Sequence, residues 1–222
     1  MTITRQFILF LYYGIRVLVA LAFVSFLFLG DWTDAFNTAL ILILMVVPSF
    51  LKNKYSVYFP LELDLAIVTF IFFTLFLGSL RDFYELFPLW DGVLHFQSGI
   101  LLGIVGFVLI YVLNEQKTKR LELTPGFISF FAITFSLAIS VVWEIYEYIV
   151  DTFFGFNMQE TGLPDTMGDL IVNAVGALIV GLVGYVWMRY RQKLPFTPRL
   201  LSGFRYRKGE KPKEGEDIDI VQ

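Results

Sequence analysis

The chain has 222 residues, of which 57% are hydrophobic and 18% aromatic, with a net charge of −3. Soluble domains run at roughly 45–50% apolar residues, so a soluble globular fold is excluded as the main architecture. Cys is absent, which rules out both a disulfide framework and a thiolate metal site.

The apolar residues fall into long runs: Phe7–Leu29, Ala35–Leu51, Leu63–Leu80, Val93–Leu113, Gly126–Val150 and Met167–Met188. A helix needs about 20 such residues to cross the hydrocarbon layer. An isolated strand in lipid leaves its backbone unpaired, so each run is assigned to helix. The second run is short, and Pro48 is expected to break it near its end. The fold expected is all-α, a polytopic membrane bundle of six transmembrane helices over residues 1–190. A charged, disordered tail is expected over residues 191–222. The first run is too long for a cleaved signal and lacks a small-residue cleavage site, so it is expected to remain as an anchor.

Charge sets the expected orientation. Of the 17 Lys and Arg residues, all but Arg16 and Arg81 fall in the N-terminus, the alternate loops holding Lys52, Lys54, Lys117, Lys119 and Arg120, or the tail. Cytoplasmic segments carry such an excess. Both termini are therefore placed in the cytoplasm of a plasma (inner) membrane protein. The opposite loops hold Asp31, Asp34, Asp82, Glu85, Glu160 and Asp165. Trp32, Trp90, Trp143, Trp187 and Tyr148 suit the interfacial belts. The basic first half of the tail is expected to rest on anionic lipids, which are nearer than any nucleic acid.

Three polar stripes stand out against this apolar background. Asp91 and His95 are four apart at the start of the fourth run, and His95 is the only histidine. Glu144, Glu147 and Asp151 line one face at the end of the fifth. Asp165, Asp169 and Asn173 do the same at the start of the sixth. All three lie at one membrane side, the outer one by the charge count. Asp91 and Asp165 also read as N-caps, and Asp151 as a solvated boundary residue. His95, Glu144, Glu147, Asp169 and Asn173 lie deeper, where an ionisable group survives only by pairing, facing water or binding something. The small residues Gly99 and Gly103 of the fourth run, with Gly176 and Gly181 of the sixth, predict close packing that brings His95 near Asp169 and Asn173.

The elements Asp91-xxx-His95-Phe96, Glu144-xx-Glu147 and Asp169-Leu170-xx-Asn173-xx-Gly176 resemble the pattern of VanZ-like membrane proteins. They are closer still to a related family of uncharacterised six-helix bacterial and archaeal membrane proteins. The likeness covers residues from Trp90 to Gly181. VanZ-like proteins typically carry Gln where this chain has Glu147, so the present cluster is the more acidic. The resemblance implies a cell-envelope protein and brings no reaction with it.

Imidazole, carboxylates and an amide oxygen together suit a divalent ion such as Mg, Mn or Zn. His95, Glu144, Glu147, Asp169 and Asn173 are the candidate ligands, with Asp91, Asp151 and Asp165 in support. Such an ion could hold an envelope-lipid headgroup and polarise it, with His95, Glu144, Glu147 and Asp169 as candidate catalytic groups. The alternatives are a transporter of protons, metal ions or a small solute, or an accessory protein whose polar knot only sets helix register.

Overall fold

The structure, a computed structural model, describes residues 3–55, 61–114, 122–159 and 161–191. Among them there are helices and no strand. The helices are α1 (Ile3–Leu29), α2 (Trp32–Tyr55), α3 (Leu61–Ile71), α4 (Phe83–Leu86), α5 (Trp90–Asn114), α6 (Pro125–Phe154) and α7 (Leu163–Arg191). A π-helical run, Phe72–Ser79, extends α3. Taking α3 and its extension as one span, six helices are long and apolar enough to cross a membrane. Glu160 and the tail beyond Arg191 lie outside the described residues.

The spans outrun their apolar cores because polar residues cap them. Thr124 begins α6 by accepting the amide of Phe127 at 3.2 Å, and Pro125 follows as a pre-set first residue. Gly155 ends it in the left-handed conformation, φ 73°, where a side chain would be strained. Pro48 does not break α2: the helix runs on to Tyr55.

The chain divides into two compact units within α4, between Phe83 and Tyr84. In the first, α1, α2 and α3 pack around Tyr12, Val19, Ile41, Met45, Val68 and Phe76. Arg16 of α1 donates to the Met45 carbonyl and to Ser49 Oγ, and lies 4.1 Å over the Tyr12 ring. The π-helical run closes with Leu80 donating to Leu75 O at 3.1 Å, and stacks Phe72 on Phe76.

In the second unit α5, α6 and α7 pack pairwise, with Phe107, Ile110, Tyr111, Ile128 and Ala132 at the core. The closest approach is between α5 and α7. A Cβ on Gly99 would strike the backbone carbonyl oxygen of Asn173, and one on Gly176 would stand 2.5 Å from Phe96 O. Only glycine lets two helix backbones meet in this way. Elsewhere the helices turn large apolar side chains outward, such as Phe130, Val142, Ile171 and Leu182, where in a bilayer they meet lipid.

Candidate functional site

The buried face of α6 carries Ser136, Ser140, Glu144 and Glu147, a polar seam at helical spacing. It faces α5 and α7 at the end where α6 finishes and the other two begin. The charged part of the site therefore comes from the first two turns of α5, the last turns of α6 and the first turns of α7.

His95 is the hub. Its Nε2 lies 3.6 Å from Asp91 Oδ1, one turn earlier on α5, and its Nδ1 lies 3.7 Å from Glu144 Oε1 on α6. The imidazole thus sits between two carboxylates, one per ring nitrogen. Asp169 of α7 completes a group with Asp91 and His95 in which one potential ligand atom from each lies within 4.8 Å of the others. His95, Glu144 and Asp169 are buried, and Asp91 is partly open. Both carboxylate oxygens of Glu144 and Oδ2 of Asp169 are buried without a hydrogen-bond partner. A carboxylate so placed in a bilayer calls for a cation or a proton.

Asn173 lies beneath this group with its amide already engaged. Nδ2 donates to Ser98 Oγ at 2.9 Å and to His95 O at 3.4 Å. The Ser136 hydroxyl lies between Asn173 Oδ1, at 3.4 Å, and Gly99 O, at 3.2 Å. One side chain from each of three helices is thereby tied at one level, which fixes the height of His95 against Asp169. Ser98 and Ser136 were not singled out from sequence. The spacing Ser136, Ser140, Glu144 was the signal that would have found the seam, since serine repeating every fourth residue marks the polar face.

Glu147 is buried one turn beyond Glu144 and accepts the indole N–H of Trp143 at 2.7 Å. That indole, read from sequence as part of an interfacial belt, thus has a specific partner. Asp151 accepts the amides of Met158 and Gln159, at 2.7 and 2.8 Å, and shapes the connection from α6 to α7. Gln159 then donates to Thr166 Oγ1 at 2.8 Å. Asp91 and Asp165 fall inside the first turns of their helices rather than at the preceding cap positions. In α7 the Asp165 amide is bonded to Gly162 O, and its half-buried carboxylate lies within electrostatic reach of Asp91 and His95.

Fold and site together define a polytopic helical membrane protein whose second three-helix unit encloses an acidic–histidine cluster. The chain belongs to the family described as "Predicted membrane protein (DUF2238)", which matches residues 10–190. A protein of Thermotoga maritima named "Uncharacterized protein" is 26% identical over 126 residues, 57% of this chain and 63% of that protein. The match therefore spans less than two thirds of that relative. No solved structure matches the chain.

Proposed function

We propose that the cluster is a divalent-cation site in a cell-envelope membrane protein, with Asp91, Asp169 and His95 Nε2 as its protein ligands. The observation that carries this reading is the convergence of those three groups within 4.8 Å, beside buried carboxylate oxygens that no donor satisfies. Carboxylate oxygens with one imidazole fit Mg, Mn or Zn. Three protein ligands leave coordination positions open, as sites that bind or transform a further ligand do. Glu144 faces the other imidazole nitrogen, which suits it to accept Nδ1–H and hold the ring so that Nε2 presents its lone pair. Asn173 and Ser136 set the register on which the site depends.

The Lys and Arg distribution supports a plasma-membrane protein with both termini cytoplasmic, which puts the cluster toward the outer face. The resemblance of these motifs to those of VanZ-like proteins supports a place in the cell envelope. Bound lipid and, at the tail, anionic headgroups are the partners this reading implies.

Metal content by mass spectrometry on detergent-purified protein tests it, beside His95→Ala and Asp169→Asn variants that keep the parent's helicity. One divalent ion per chain in the parent, lost from both variants, is the expected result. Folded parent that takes up no Mg, Mn or Zn at any added concentration would refute the site.

A further inference from the structure

Resting on that cation site, a charge balance and the surroundings of the mouth say more about what it takes. Asp91 and Asp169 together neutralise a dication. Glu144, Glu147 and Asp165 remain as surplus carboxylates beside it; Glu144 has both oxygens buried, with the Thr166 hydroxyl nearby, and Glu147 is taken up by the Trp143 indole N–H. Asp165 is half-buried and within electrostatic reach of Asp91 and His95. Among the described residues from 82 to 188 there is no Lys or Arg. A simple anion would find only the metal to hold it and would be repelled by the remaining carboxylates. A simple cation would leave the metal's open positions unfilled.

The segments that frame the site carry large exposed apolar side chains among their acids and amides. Phe87 and Leu89 precede α5, Phe153 and Phe154 end α6, Phe156 lies in the following loop, and Leu163 starts α7; each is at least half exposed. Exposed phenylalanine and leucine mixed with acids and amides suit the depth of lipid headgroups and upper acyl chains, where amphipathic segments sit. Next to two of the ligands, Gly92 adjoins Asp91 and Gly168 adjoins Asp169. A Cβ on either would meet nothing within 4 Å. Neither glycine is demanded by helix packing, unlike Gly99 and Gly176, and both leave the ligand side chains uncrowded.

We infer that the site takes the aminoalkyl phosphate headgroup of a bilayer amphiphile, its phosphate oxygens on the metal held by Asp91, His95 and Asp169 and its ammonium on Glu144 and Asp165. A zwitterion of this kind satisfies both charges of the site at once, and its acyl chains lie along the exposed apolar side chains that frame it.

Native mass spectrometry of the delipidated protein tests this by counting Mn²⁺ and lipid on the same ion. The probes are phosphatidylethanolamine and phosphatidylglycerol of matched chains, and soluble phosphoethanolamine. Phosphatidylethanolamine should be retained about tenfold better than either other probe. EDTA should release it, and Asp165→Asn should erase the preference while leaving Mn²⁺ bound. Mn²⁺ bound with equal retention of the two lipids overturns the headgroup and leaves the metal site standing. Phosphoethanolamine held as tightly as the lipid overturns the bilayer as its source. Phosphatidylethanolamine held equally well after EDTA overturns the metal bridge. Failure to bind Mn²⁺ at all removes the cation site and this inference with it.

Discussion

The backbone carbonyl of Asn173 occupies the space that a side chain on residue 99 would need. From the same residue, the Asn173 amide reaches across to Ser98 and His95. The contact that lets α5 and α7 touch and the bonds that set their register therefore share one level. Packing and site geometry are coupled there, and a change in one should be read in the other.

Gly99→Ala should cost roughly 1–3 kcal/mol, because the added methyl meets backbone, which cannot swing aside. Thermal unfolding in detergent should show a lower midpoint, with weaker metal retention in the fraction still folded. Gly168→Ala, whose Cβ meets open space, should leave the stability within about 0.5 kcal/mol of the parent. Equal effects at the two positions would contradict the close backbone approach.

Glu144→Gln separates a ligand from a positioning residue. Acting through His95 Nδ1, Glu144 should matter about 10–100-fold in metal affinity, without changing the number of protein ligands. The spectrum of a bound Co²⁺ ion should keep its shape in Glu144→Gln and lose it in Asp169→Asn. A changed coordination spectrum in Glu144→Gln would place that carboxylate on the metal itself.

Asn173→Ala removes a buried amide that joins three helices. Ser98 and Ser136 then lose a partner, at a cost of about 1–3 kcal/mol in stability. Metal stoichiometry should survive in the folded fraction, since both ends of the amide are spent on protein groups. Loss of metal from folded Asn173→Ala would make it the ligand that its sequence position suggests.

Bound metal should itself stabilise the protein. At a free ion concentration of 100 times Kd the gain is about 2.7 kcal/mol, reversed by a chelator. The unfolding midpoint should rise with Mn²⁺ in the parent and stay flat in His95→Ala. A parallel rise in that variant would mean the ion acts elsewhere.

Orientation is open to direct test because the chain has no native Cys. Asn157→Cys, exposed between α6 and α7, should react with an impermeant maleimide on intact cells. Lys211→Cys should react only after permeabilisation. The reverse pattern would turn the site toward the cytoplasm.

Much of this protein is legible in one dimension. Lipid tolerates only self-satisfied backbone, so a run such as Val93–Leu113 has to be helix whatever its neighbours do. The spacing of Asp91 with His95, and of Asp165, Asp169 and Asn173, fixes which side chains share a face, because helical periodicity is local. Helix ends were harder, as at Pro48, where α2 continues through a residue that in isolation favours a break. Distances between helices are not local at all. That His95 offers Nε2 to Asp91 and Nδ1 to Glu144, that Asp169 groups with Asp91 and His95, and that Asn173 is consumed by Ser98 and Ser136 follow from how closely the helices approach. Gly99 and Gly176 permit that approach, but only the packed backbones decide which residues it brings together.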